Sequence, residues 1–73
     1  GMHQLRKDYL QKGLQLVRDK NNQLLEGRLL NGLGGVLLEE RQFDEALDLL
    51  FKARDLAALQ QDDKGLASVV NNI

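Results

Sequence analysis

The chain has 73 residues and a formal net charge of −1, with ten basic and eleven acidic side chains and no cysteine. A chain of this length forms one small domain, whose own core rarely supplies more than about 3 to 5 kcal/mol, so self-association or a longer parent protein would add stability. Disulfides and cysteine metal sites are excluded, and the near-neutral charge argues against a general nucleic-acid binder. No apolar run approaches a membrane span and no signal peptide is visible, so we expect no membrane association and a cytoplasmic setting.

Helical spacing of apolar residues predicts four helices in chain order, over residues 5–20, about 23–40, about 44–60 and 64–73. Polar stretches separate them. In the third connection, the acidic pair Asp62-Asp63 is better explained by helix capping than by a calcium loop, which would need further oxygen ligands. Asp44 lies where the third helix should have its N-cap.

The segment 27–59 indicates a tightly packed helix hairpin. Its first half contains Gly27, Gly34 and Gly35 beside a leucine-rich face. Each glycine inside a helix costs about 1 kcal/mol relative to alanine, so close approach of a second helix is the expected compensation. The second half carries an apolar stripe that we expect to pack against this face, with alanines where the neighbouring helix would press. The stripe consists of Phe43, Ala46, Leu47, Leu50, Ala53 and Ala57.

These residues resemble a family motif. The pattern Leu30-x2-Leu33-Gly34-x2-Leu37, Ala46-x3-Leu50 and Ala53 is similar to the tetratricopeptide repeat, with the signature W-x2-L-G-x2-Y, A-x3-F and a closing proline. The chain departs from that signature at Leu30, Leu37, Leu50 and Ala58, and Arg41 stands where the turn usually has glycine. The resemblance implies an all-α fold of antiparallel helix hairpins, as a fragment of a right-handed α-solenoid.

The chain also repeats itself at an offset of forty residues. Leu10, Gly13, Leu16 and Val17 fall on Leu50, Ala53, Leu56 and Ala57, while Gly27, Leu29, Leu30, Asn31 and Leu33 fall on Ala67, Val69, Val70, Asn71 and Ile73. We therefore interpret residues 1–73 as one domain of a long-repeat variant. In it, residues 5–20 are half of a preceding repeat or a cap, residues 23–60 a complete hairpin, and residues 64–73 the start of the next repeat.

The family resemblance implies a protein-protein interaction module with a concave groove that binds a peptide or a partner helix. Carried over residue by residue, the groove positions are Arg28, Asn31, Gly35, Leu38, Glu39, Ser68 and Asn71. Asn31 and Asn71 are the strongest candidates, because amides hydrogen-bond peptide backbone. An ordinary exposed helix face explains these positions equally well. Asn31 and Gly35 do not reproduce the lysine and asparagine with which chaperone-binding members clamp a carboxylate, although Arg28 is suitably placed.

A scaffold or homo-oligomerisation segment is the first alternative function. A half repeat cannot bury its own apolar face, so Leu66, Val69, Val70 and Ile73 would need a helix from another chain or from the remainder of a longer protein. Residues 1–36 carry a charge of +3 and residues 37–73 a charge of −4. Opposite charges favour an antiparallel or head-to-tail homo-oligomer, a dimer in the simplest case, through the terminal helices.

A helical nucleic-acid binder is the second alternative, and it would use Arg6, Lys7, Lys12, Arg18 and Lys20. These cations are spread around the first helix and do not form one stripe, and the acidic second half opposes binding. We therefore expect no nucleic-acid partner.

Sites of chemistry are not indicated. The glycine-rich segment 31–35 follows no strand and lacks the Gly-Lys-Ser/Thr of a phosphate loop. The carboxylates of Glu39-Glu40 diverge by about 100° on a helix, His3 is the only histidine, and Ser68 has no nucleophile elbow around it. We expect no enzyme activity, no cofactor and no metal.

Overall fold

The computed structural model describes residues 2–19 and 21–73, together with their side chains except those of His3 and Asp19. This part of the chain contains four helices and no strand, which confirms the all-α prediction. The helices are α1 (Met2–Asp19), α2 (Gln23–Glu39), α3 (Phe43–Leu59) and α4 (Asp63–Asn72). Each overlaps one predicted helix, and α1 begins three residues earlier than the sequence pattern indicated. None of the four is long and apolar enough to cross a bilayer.

The three connections between helices share one backbone conformation. Asn21, Arg41 and Gln61 have left-handed φ angles of 57°, 62° and 55°. The next residue in each case donates its N–H to a carbonyl in the last turn of the helix it leaves, in the bonds Asn22 to Val17 (3.0 Å), Gln42 to Leu37 (2.9 Å) and Asp62 to Ala57 (2.8 Å). This is the Schellman arrangement, which satisfies carbonyls at a helix C-terminus. The same turn therefore recurs every twenty residues.

Polar side chains cap two of the following helices. The side chain of Asn22 accepts a hydrogen bond from Leu25 N at 3.1 Å, and that of Asp62 from Gly65 N at 3.2 Å. Each satisfies an N–H that the first turn of a helix leaves without a partner. The capping role predicted for the acidic pair is confirmed for Asp62.

The prediction of Asp44 as the third N-cap is wrong. Gln42 occupies the N-cap of α3 without a side-chain capping bond, and Asp44 lies in the first turn beside Glu45. The turn at Arg41 ends within two residues, so α3 begins at Phe43. Asp44 and Glu45 still favour this helix end, because they place negative charge beside its positive pole.

Helix α2 runs antiparallel to both α1 and α3. Arg6 near the start of α1 pairs with Glu39 at the end of α2 (3.4 Å), whereas Arg18 near the end of α1 pairs with Glu26 near the start of α2 (3.1 Å). Towards α3, Gly27 faces Leu56 and Gly34 faces Leu50 in the same reversed order.

Helix α4 lies parallel to α2. Its first residues meet Arg28 of α2 through the N-cap Asp62, and Ser68 and Asn72 meet Asn31 further along both helices. Thus α2 contacts the three other helices.

The small residues lie where α2 and α3 approach most closely. Ala46, Ala53 and Ala57 are buried on α3, and Gly34 leaves no room for a methyl group beneath Leu50. The predicted tight contact between the two helices is confirmed at Gly27 and Gly34, whereas Phe43, predicted on the same stripe, is 54% exposed and Gly35 faces α4. The core consists of Leu14, Val17, Leu30, Leu33, Val36, Leu37, Ala46, Leu50, Ala53, Ala57 and Val69. Burial of each large side chain among them contributes about 1.5 to 3 kcal/mol before entropy is counted.

Candidate functional site in the groove between α2 and α4

A shallow groove of about 280 Å³ separates α2 from α4. Its lining residues are Arg28 and Asn31 from α2 and Lys64, Gly65 and Ser68 from α4. The sequence predicted three of these five as groove residues, namely Arg28, Asn31 and Ser68. Lys64 and Gly65 were missed, because the positions forty residues earlier, in α2, carry no polar side chain that would mark them as groove residues.

An ion pair forms one end of the groove. Arg28 donates from Nε to Asp62 Oδ2 at 3.0 Å and from Nη2 to Asp62 Oδ1 at 2.9 Å, which is a two-pronged arrangement. The Arg28 side chain is 51% exposed, whereas that of Asp62 is 6% exposed. Asp62 therefore anchors the arginine and leaves part of the guanidinium open to solvent.

The pair shifts both pKa values. The hydrogen bond from Arg28 is the largest cause that lowers the pKa of Asp62, and burial opposes it, while the Gly65 N–H and the charges of Arg28 and Lys64 lower the pKa further. The hydrogen bond to Asp62 raises the pKa of Arg28 in turn. Gly65 makes this geometry possible, since a Cβ at that position would collide with the Asp62 carboxylate. One carboxylate thus caps α4 and ties it to α2.

Asn31 is buried in the base of the groove, with 9% of its surface exposed. Its Nδ2 donates to Ser68 Oγ at 2.8 Å, and its Oδ1 accepts from Asn72 Nδ2 at 2.8 Å. Both polar atoms of the Asn31 amide are thus hydrogen-bonded to α4 within the chain, and the proposed role of Asn31 in peptide binding stays a prediction. Asn72, which completes this network, was not predicted, and the candidate Asn71 beside it is exposed.

The other predicted groove residues lie outside the lining. Gly35 faces Asn72, and Leu38 is half-buried against the core. Glu39 is exposed and pairs with Arg6 of α1, on another side of α2.

No protein-family model, curated protein or solved structure matches this chain. The tetratricopeptide interpretation therefore rests on the residues of this chain and stays a prediction.

The four residues predicted for self-association divide into two pairs. Val69 belongs to the core formed with α1, α2 and α3, and Leu66 is half-buried. Val69 is thus already covered within one chain, which removes it from any contact surface. Val70 and Ile73 remain exposed.

Three of the five cations of the nucleic-acid alternative form ion pairs within the chain. Arg6, Lys7 and Arg18 pair with Glu39, Glu40 and Glu26 of α2, which reduces the positive surface of α1. Lys20 and the side chain of His3 lie outside the described residues. Among the side chains that the structure describes, no group of three or more candidate ligands could hold a metal ion.

Proposed function

We propose that this chain is a protein-protein interaction module of tetratricopeptide-like architecture, which binds a peptide along the groove between α2 and α4. The observation that carries the proposal is the parallel arrangement of these two helices. In repeats of this kind the first helix of each unit lines a shared concave face. The parallel packing of α2 and α4 supports assigning these two helices to those positions, and the twenty-residue spacing of similar turns supports a repeating unit.

The chemistry of the groove favours an acidic peptide. The charged residues that line the groove are Arg28 and Lys64, both positive, while Asp62 pairs with Arg28 and Asp63 lies beside Lys64 in the first turn of α4. Asn31 donates to Ser68 and accepts from Asn72, so its buried amide shapes the floor of the groove and the charged side chains at the rim are left for recognition.

A competition between matched charge reversals tests the proposal. Random peptides displayed on phage are selected on the immobilised chain, and the enriched peptides are titrated by calorimetry against the wild type, Lys64→Glu and Lys52→Glu. Lys64 lines the groove, whereas Lys52 is an exposed residue of α3 outside it. The expected peptides are rich in aspartate and glutamate. Lys64→Glu should weaken them about tenfold or more, which corresponds to one lost charge-assisted hydrogen bond, and Lys52→Glu should leave affinity unchanged.

Two results would contradict the proposal that a peptide binds in the groove. Equal losses in both variants would indicate general charge attraction without a site. If no peptide is enriched, the scaffold alternative, in which the chain has no peptide ligand, becomes the better explanation.

A further inference from the structure

Helix α1 carries an apolar stripe that its own chain leaves uncovered. Met2, Leu5, Tyr9 and Leu16 follow helical spacing along one face, and their exposed fractions range from 61% to 83%. The other face of α1 packs on α2 through the buried Leu14 and Val17.

The exposed apolar residues of α4 have buried counterparts in α2. Val70 and Ile73 are 59% and 52% exposed, whereas Leu30 and Leu33, forty residues earlier, are 1% and 7% exposed. Leu30 packs in a cluster that contains Leu50 of α3, and Leu33 packs in one that contains Ala46. Helix α4 thus presents the residues that α2 buries against α3, with no helix over them in the described chain.

Two residues of the stripe on α1, Tyr9 and Leu16, correspond in turn to the face that α3 turns towards α2, whereas Met2 and Leu5 correspond to the exposed Gln42 and Glu45. Tyr9 and Leu16 precede Leu49 and Leu56 by forty residues, and these two leucines pack on the core clusters that contain α2. The contacts within the chain repeat at the same offset, since Leu29 meets Gly13 of α1 while Val69 packs in one cluster with Ala53 of α3. The two uncovered faces are therefore the two halves of an interface of which the chain already contains one copy.

We infer that copies of this chain associate head to tail, with α4 of one copy packed antiparallel on α1 of the next in the geometry of α2 on α3. In this register Ala67 meets Leu16 of the next copy, as Gly27 meets Leu56. A Cβ on Gly27 would lie 3.2 Å from Leu56 Cβ, so the methyl of Ala67 requires a separation larger by a few tenths of an ångström. Val70 and Ile73 then cover Tyr9 and its neighbours on the stripe.

The charges agree with this register. Arg6 takes the place of Ala46, which is fully buried next to Gly34. Leu33 shares a cluster with Ala46, so in this register Ile73 meets Arg6 of the next copy, and the aliphatic stem of Arg6 can pack on Ile73 while its charged end stays in water. The charges of +3 on residues 1–36 and −4 on residues 37–73 attract in the same orientation.

A head-to-tail contact uses two different surfaces, so it gives an open chain or a ring of copies and not a closed two-fold dimer. This asymmetry makes the inference testable with complementary variants. Leu16→Asp blocks only the α1 surface, and Val70→Asp blocks only the α4 surface. Both side chains are largely exposed within one copy, so the fold of each variant should survive, which circular dichroism checks.

The experiment measures mass by light scattering across micromolar to millimolar concentrations. The mass of the wild type should rise with concentration past that of a dimer, and the mass of each variant alone should stay at the 8.2 kDa of one chain. An equimolar mixture of the two variants should form a species of twice that mass and nothing larger, because one intact surface of each kind remains. Leu59→Asp, at an exposed leucine outside both surfaces, should behave as the wild type. Tyr9→Asp and Ile73→Asp form a second complementary pair if either first variant loses helicity.

Three results would overturn the inference. If the wild type stays monomeric at every concentration, the two faces do not bind a second copy and must contact a different protein segment. A stable two-fold dimer that only one of the variants disrupts would indicate pairing of identical surfaces. Loss of association in Leu59→Asp as well would indicate non-specific apolar contact.

Discussion

Adjacent glycines in α2 should respond in opposite directions to the same substitution. A methyl on Gly34 would lie 2.7 Å from Leu50 Cδ2 and 2.8 Å from Leu50 Cγ, and 3.4 Å from the carbonyl oxygen of Ala46. Leu50 is fully buried, so it cannot turn away into solvent. A methyl on Gly35 would meet only Asn72 Nδ2, at an ordinary contact distance of 3.8 Å.

The magnitudes follow from two effects. Alanine is favoured over glycine inside a helix by about 0.8 to 1.0 kcal/mol, and both variants gain this amount. Gly34→Ala also overpacks the core, which typically costs about 1 to 3 kcal/mol. Gly35→Ala should therefore stabilise the fold by about 1 kcal/mol. The free energy of unfolding of Gly34→Ala should be lower than that of Gly35→Ala by about 1 to 3 kcal/mol.

Urea unfolding followed by circular dichroism measures both free energies of unfolding. The difference between the two variants is the more reliable quantity, because the helix-propensity gain cancels. Thermal midpoints give a second reading, with about 4 to 8 °C for each kcal/mol in a domain of this size. Equal stability of the two variants, or a more stable Gly34→Ala, would refute the close approach of α2 and α3 at this point.

Three further variants test the turns, the ion pair and the buried amide. Arg41→Gly should stabilise the fold by about 0.5 to 1 kcal/mol in urea unfolding. The left-handed conformation costs an L-residue more free energy than glycine loses through its greater chain entropy in the unfolded state. Asn21→Gly should gain less, since asparagine tolerates this conformation. Asp62→Asn keeps a capping side chain but loses the charge, so its thermal midpoint should lie below that of the wild type at pH 7. The folded-state pKa of Asp62 is lowered, so its stabilisation is complete above the unfolded value of about 3.9 and is lost as the pH falls through the folded value, where the two midpoints should converge. Asn31→Ala should cost about 1 to 3 kcal/mol in urea unfolding through its lost hydrogen bonds, and Asn71→Ala should stay within about 0.5 kcal/mol.

Matched controls separate these effects from general ones. Asp63→Asn removes a neighbouring exposed carboxylate and serves as the matched control for the loss of one negative charge at pH 7. An Asp62→Asn midpoint that tracks the wild type at every pH would contradict the ion pair with Arg28. If Asn31→Ala proves as mild as Asn71→Ala, the bonds to α4 contribute nothing to stability.

The helices could be predicted from sequence because their signals are local. Apolar spacing places each helix, and Asn22 and Asp62 carry the side chains that cap the helices they precede. The start of α3 could not be placed, because Asp44 is as good a cap by type. The left-handed turn at Arg41 decides the matter, and an arginine does not by its type indicate that conformation, although the family resemblance has glycine at this position.

The groove was only partly predictable because its contacts join distant residues. Asn31 has the residue type of a peptide-binding position, and its spacing relative to Asn71 suggested a shared role. What buries it is the parallel docking of α4, which brings Ser68 and Asn72 to its two polar atoms. The partnership of Arg28 with Asp62 is equally non-local, so no pattern along the chain could reveal that the cap also serves as a counter-ion.

The position of α2 among three helices, antiparallel to α3 and parallel to α4, is the arrangement on which the groove and the head-to-tail contact both depend. A NOESY spectrum of the dilute chain measures it directly. We expect cross-peaks between the Hα protons of Gly34 and the methyl groups of Leu50, and between the side-chain amides of Asn31 and Asn72. A spectrum in which Leu50 contacts other residues, or in which Asn31 shows no contact with Asn72, would contradict the arrangement.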